Sequence, residues 1–247
     1  MLLLLLLSMQ ALAGIQVRAE VQDRSVSHPN VILLVMDATR ADYLSVYGHP
    51  NRTSAAIDRI ASQGVRFDQC IAAASWTLPS MASFFTGLHT RHHNVTSRNL
   101  VLRPSYTTLA EKFRDAGYRT RGISCNVWVG DFSGLEQGFE DTVAIWRDTN
   151  ALSIDAGAAS ANRAALQWID SLSSKDPFFL YIHYMEPHFP YRPPQPFDRL
   201  FTNPGTSAAV LEKVRCWKSP RELGFILKEP SCSIQPAELK VLQTQYE

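Results

Sequence analysis

Two residues combine a reactive side chain with a position where it can be used. Asp37 ends the apolar run Val31-Ile32-Leu33-Leu34-Val35-Met36. A carboxylate at the carboxyl end of a strand stands where open α/β sheets place their ligands. As a hard oxygen donor it suits a divalent cation. Thr77, in Trp76-Thr77-Leu78-Pro79-Ser80, opens an apolar helix. Free backbone N–H groups and the helix dipole favour an anion at that place. A hydroxyl there could attack a phosphorus or sulfur centre once a cation lowers its pKa. Each position also has a plainer reading, because a strand-end Asp serves as a turn residue and a Thr before a helix serves as its N-cap.

The elements that must position these two groups alternate along the chain. The run 31–36 is continuous and rich in β-branched residues, which predicts a strand in the sheet interior, buried on both faces. Residues 53–63 have helical periodicity with Gly64 as a stop, while 65–67 and 71–74 read as short extended pieces. Thr77 is the expected N-cap of a helix through Met81 and Phe85, with Pro79 in its first turn and Gly87 at its end. An amphipathic helix over 106–116 stops at Gly117, and a strand follows over 118–124. A helix over 155–172 precedes a strand over 177–184. The pattern predicts an α/β fold whose mostly parallel sheet is flanked by helices. From Pro193 onward, prolines break the chain into short pieces, and 193–235 reads as an insertion over the site. Helices are expected near 208–214 and 236–246.

Composition narrows the class. The 247 residues are 45% hydrophobic and 19% charged, enough for one substantial core. Lys+Arg number 24 against 23 Asp+Glu, and the scattered charges provide neither a nucleic-acid surface nor a polybasic membrane patch. Leu2 to Leu7 followed by Ala11-Leu12-Ala13 reads as a signal peptide over 1–13, although no Lys or Arg precedes the leucines. As a helix that segment spans roughly 21 Å, short of the ~30 Å hydrocarbon core. The expectation is an exported protein, periplasmic or extracellular, that begins near Gly14 with an exposed approach over 14–28. Membrane association follows only if the leader stays uncleaved. Cys70, Cys125, Cys216 and Cys232 lack C-x-x-C spacing, which argues against a zinc cluster. Cys216 and Cys232 are a candidate disulfide, and Cys70 and Cys125, within apolar runs, read as buried thiols.

Ordered blocks between residues 29 and 192 resemble the sulfatase and alkaline phosphatase superfamily. They include Pro29-Asn30 through Asp37, Arg40-Ala41-Asp42-Tyr43-Leu44, Thr77-Leu78-Pro79-Ser80, Ala116-Gly117-Tyr118, Phe178-Phe179-Leu180-Tyr181 and Glu186-Pro187-His188-Phe189-Pro190-Tyr191. The resemblance implies an alkaline-phosphatase-like fold, of which this chain is the N-terminal portion over 29–247. It places Asp37 on a metal-binding aspartate and Thr77 on the nucleophile, which also touches the metal. It places His188 on a histidine that reaches the substrate's ester group. A histidine fixed in a Pro-rich loop by a backbone hydrogen bond is the equal alternative for His188. His93 reads as structural or surface.

Departures from the family pattern shape the expected chemistry. Sulfatases carry Cys or Ser at the position of Thr77 and oxidise it to formylglycine, which threonine cannot yield. Met81 replaces the usual arginine, Ala38 the usual second aspartate, and Ser124-Cys125-Asn126-Val127-Trp128 the sulfate-binding Gly-Lys-Trp-His element. A direct threonine nucleophile resembles the phosphoryl-transfer branch. There Asn126 would hydrogen-bond a phosphoryl oxygen, or else serve as a turn residue. The expected activity is divalent-metal-dependent hydrolysis of phosphoric or sulfuric esters, phosphoesters preferred, with Ca, Mg, Mn or Zn as the ion and no formylglycine. The substrate would be a small molecule or an envelope polymer. A catalytically inactive binding protein or inactive fragment on the same fold, and a phosphoryl-group transferase acting on envelope lipids or polymers, are the alternatives. The family's late Asp-His-Gly element does not occur in this sequence. Residues 1–247 alone are therefore expected to be an incomplete, inactive fragment that binds metal poorly, tends to aggregate and exposes apolar surface.

Overall fold

The computed structural model describes residues 28–148, 157–215 and 236–246. The expected leader over 1–13, the approach segment to residue 27, the start of the helix expected at 155, residues 216–235 and the Cys216–Cys232 pair lie outside the described residues.

Among the described residues four strands form one parallel sheet: β1 (Val31–Met36), β2 (Arg119–Ser124), β3 (Asp141–Ala144) and β4 (Phe178–Tyr184), in the order β1-β4-β2-β3. Helices pack on both faces of β4, as a parallel sheet requires. Because side chains alternate along a strand, Phe179 and Tyr181 face one side and Phe178, Leu180 and Ile182 the other. The first side meets Leu78, Met81 and Phe85 of helix α2 (Thr77–Thr86), which follows helix α1 (Ala55–Ala61) in the chain. The second meets Ala161, Ala165 and Trp168 of a long helix over Ala158–Ser171. The fold class expected from the sequence is the one observed.

β1 differs from expectation. Among the described residues it pairs only with β4 and forms the sheet edge rather than the interior. Val31, Leu33 and Val35 pack on the α2 side, while Ile32 and Leu34 are 51% and 55% exposed among the described residues. An apolar run shows that a strand can be buried on both faces but not whether a neighbour is present to bury it.

Smaller differences have local causes. Residues 65–67 and 71–74 form no strand; they cross the surface with Val65, Phe67 and Ile71 exposed, and Cys70 is exposed with them. Cys125 is buried, as expected. The helix expected from Tyr106 starts at Leu109 because Thr108 and Glu111 close a reciprocal capping box there. Gly138, at φ +93°, comes so close to the start of this helix that a Cβ would fall 2.1 Å from the Glu111 nitrogen. Strand β3 and the short helix Thr90–His93 had no periodic signal to reveal them.

Candidate active site

Strand parity brings the site together. Val31, Leu33 and Val35 face α2, so Asp37, two residues further on, falls on that same side. The Asp37 N–H donates to the Tyr184 carbonyl at 3.0 Å and extends the β1–β4 ladder by one bond. Val35 pairs with His183 in register, and His183 shares the Tyr181 face. The Asp37 carboxylate, the His183 imidazole and the first turn of α2 therefore meet at the carboxyl edge of the sheet.

Thr77 is the first residue of α2, and Trp76, in extended conformation, is the N-cap. Thr77 is thus not the cap expected from the sequence, and its side chain makes no capping bond. Its hydroxyl donates instead to Asp37 Oδ2 at 3.1 Å. Asn126 lies two residues past the end of β2, held by Ser124 Oγ, which accepts from the Asn126 N–H at 3.1 Å. The Asn126 amide donates to Asp37 Oδ2 and approaches Thr77 Oγ1 at 3.5 Å. Its Oδ1 accepts from the Trp128 N–H at 2.8 Å. Asn126 therefore acts as a turn residue and bridges the two candidate groups.

His183 was not singled out in the sequence. It is 1% exposed, and its Nε2 lies 3.2 Å from Asp37 Oδ2. Its Nδ1 lies 2.6 Å from the hydroxyl of buried Tyr181. The signal was its even spacing from Tyr181, but using it required knowing that β4 pairs with β1. Burial opposes ionisation of Asp37. The His183 hydrogen bond, the nearby His183 and His188 imidazoles and the Thr77 hydroxyl outweigh it and hold the carboxyl below its usual range.

His188 lines the same cleft as Thr77 and Asn126, and its Nδ1 hydrogen-bonds the Phe189 carbonyl. Backbone anchoring and a position in the cleft thus occur together in this residue. The cleft measures about 990 Å³ and carries Trp76, Trp128 and Trp146 on its walls. Trp76 and Trp128 meet edge to face at 5.3 Å. Pro193, Pro194, Phe197, Leu200 and Phe201 form part of the rim. Tyr246, from the helix Pro236–Tyr246, closes one end: its hydroxyl donates to the Ala38 carbonyl and accepts from the Arg40 N–H, both at 2.8 Å. His93 lies outside the cleft lining, with its Nδ1 accepting from the Val95 N–H and its Nε2 on Ser83 Oγ. Its role is structural.

Asp37 and Thr77 offer a divalent cation one carboxylate and one hydroxyl, too few ligands to hold it by themselves. Oδ2 of Asp37 receives the three donors, and Oδ1 has no hydrogen-bond partner among the described residues. An ionised carboxylate beside a hydroxyl supplies two hard oxygens. Among the described residues no group of three His, Cys, Asp or Glu side chains is placed to hold a metal.

A parallel sheet flanked by helices is the frame of the alkaline-phosphatase-like fold. The phosphonate monoester hydrolase of Agrobacterium radiobacter shares it at a TM-score of 0.66 and 19% identity, over 88% of this chain and 55% of that one. The C-terminal periplasmic domain of EcEptC from Escherichia coli, in complex with Zn, shares it at a TM-score of 0.54 and 18% identity, over 78% of this chain and 56% of that one. The chain belongs to the sulfatase family, whose model, described as Sulfatase, matches residues 29–218. The N-acetylglucosamine-6-O-sulfatase of Bacteroides thetaiotaomicron is 25% identical over 197 residues, covering 75% of this chain and 35% of that protein. The chain spans between 35% and 40% of the length of the first curated relatives it matches.

Proposed function

We propose that this chain carries the nucleophile-bearing part of a metal-dependent hydrolase of phosphoric or sulfuric esters, with phosphoesters preferred. One observation carries the reading: the Thr77 hydroxyl opens α2, donates to Asp37 Oδ2 at 3.1 Å and faces the cleft. Asp37 orients the hydroxyl, and its carboxylate and the Thr77 hydroxyl would supply two of the ligands of a cation (Ca, Mg, Mn or Zn). The cation's contribution is to lower the hydroxyl pKa and offset the charge of the ester oxygens. Thr77 Oγ1, its proton released to solvent, then bonds to phosphorus as the bond to the leaving alcohol breaks, giving a phospho-threonine that water cleaves to phosphate and free Thr77. The free backbone N–H groups at the start of α2 and the Asn126 amide receive the non-bridging oxygens. His188, anchored through Nδ1, assists the leaving group. Export through a leader over 1–13 belongs to the same reading, and N-terminal sequencing of the exported protein should find it starting near Gly14.

The deciding test is intact-mass and peptide analysis after incubation with a p-nitrophenyl phosphodiester or phosphomonoester and Mn²⁺ or Zn²⁺. Phosphate on Thr77 that disappears in Thr77→Ala supports the reading. Turnover unchanged in Thr77→Ala removes it.

A second reading, a sulfatase-fold binding protein without turnover, is favoured by Met81. It stands where the resembled family pattern has arginine and is 6% exposed within the core. Binding of a phosphate or sulfate ester with no phospho-threonine would support that reading instead.

A further inference from the structure

The cleft beside Thr77 has more apolar wall than a phosphoryl or sulfuryl group needs. At about 990 Å³ it lies at the upper end of ligand-sized sites, so a whole alcohol fits beside the ester group. Trp76, Trp128 and Trp146 form one part of the wall, and Phe189, Phe197, Leu200 and Phe201 another. Phe197 and Leu200 stand 58% and 60% exposed on the rim. Either a sugar ring or an alkyl chain covers such a wall, and the two differ in what they demand of the polar groups.

A sugar brings hydroxyls that lose water on entry, and each then needs a protein partner. Polar side chains of the lining already serve the protein's own backbone. Thr53 Oγ1 donates to the Tyr43 carbonyl at 2.6 Å, and Thr244 Oγ1 to the Val241 carbonyl at 2.8 Å. The Gln245 amide donates to the Asp198 carbonyl at 2.8 Å. The indole rings are engaged as well: Trp76 and Trp128 meet each other edge to face, and the Arg147 guanidinium lies 4.7 Å from the centre of the Trp146 ring. An alkyl chain needs none of these groups and gains from every methylene taken out of water. Arg52 and Arg192, against Glu186, leave the lining with a positive balance that suits an anionic head.

We propose that the cleft takes the alcohol part of the ester as a long alkyl chain, with the anionic phosphate or sulfate at Thr77 and the chain along the apolar wall toward Phe197 and Leu200. The inference rests on the ester reading above for the place of the head group, and on the cleft lining alone for the chain.

Binding of n-alkyl phosphates from butyl to decyl by the full chain tests it, with EDTA present so that no cation takes part. The indoles of the wall report occupancy through a blue shift of tryptophan emission. Affinity should tighten by about two- to fourfold with each added methylene. Leu200→Ser should weaken decyl phosphate by about tenfold and leave butyl phosphate nearly unchanged. Leu166→Ser, at a site 61% exposed and outside the cleft lining, should bind decyl phosphate as the parent does. Thermal melts check folding, and Phe197→Ser on the same rim takes the place of Leu200→Ser if the latter does not fold. Three results overturn the proposal: equal or absent affinity along the series, glucose 6-phosphate bound more tightly than octyl phosphate, or equal losses in the rim variant and Leu166→Ser. Any of these found together with phospho-threonine in the incubation above leaves the hydrolase reading in place. Chain-length dependence without phospho-threonine removes the hydrolase and supports the alkyl ligand of the cleft.

Discussion

At the scale of single residues, Asp37 is the hub, and its neighbours are matched to its charge. Asn126 is the informative one to change, because it is neutral and donates to a carboxylate. Asn126→Asp keeps an acceptor for the Trp128 N–H but sets two carboxylates against each other, so one of them must take a proton or be destabilised. We expect the variant to lose about 2 kcal/mol at pH 7 in urea unfolding. The loss should shrink toward pH 5 and in the presence of Ca²⁺ or Mn²⁺. Glu136 is a second case, away from the site. Burial, then Asp131, raise its pKa, with Arg147 opposing. A carboxyl whose folded pKa is raised favours folding when protonated and costs stability as pH rises from about 4 through its folded value. Glu136→Gln should therefore melt higher than the parent at pH 7 and lose that advantage below about pH 4.

At the scale of elements, the turn after β1 decides where Asp37 sits. Ala38 occupies the left-handed region at φ +56°, which costs an L-residue about 1–2 kcal/mol. The Tyr246 hydroxyl, 208 residues away in sequence, clamps the turn through the Ala38 carbonyl and the Arg40 N–H. Ala38→Gly removes the strain but adds freedom to the unfolded chain, for an expected net gain of about 0.5–1 kcal/mol. Tyr246→Phe should cost about 1 kcal/mol, since both lost partners lie in an exposed turn that water can reach. Because the two act on one turn, the double variant should not be additive in denaturant unfolding, whereas an additive result would place Tyr246 outside the control of this turn.

At the scale of the whole molecule, the sheet is well covered around β4 and open at β1. Phe179 is fully buried and stacks on Phe113 and Phe139. Phe179→Ala should lose about 3–5 kcal/mol. Leu34, on the open face of β1 beside Ile32 and Met36, is 55% exposed. Leu34→Lys should change stability by less than about 0.5 kcal/mol and reduce self-association in light scattering, because it breaks a contiguous apolar patch. A large loss of stability in Leu34→Lys would mean that this face is covered in solution.

The sequence by itself determined the class of fold, the family resemblance and four of the five groups gathered in the site, His188 among them. Asp37, Thr77 and Asn126 stand at strand and helix ends, and those ends are written locally in apolar runs, glycine stops and turn residues. What the tertiary structure alone decided is which of these ends meet. His183 reads as an interior strand residue until β4 is placed beside β1, when parity turns it toward Asp37. Tyr246 reads as the end of an isolated helix until it is found clamping Ala38. The strand 31–36 reads as interior until the sheet order puts it at the edge. Periodicity along a chain fixes which face of an element is apolar, but pairing and register across the sheet are non-local. They follow from the packing of several elements at once, which no single stretch of residues encodes.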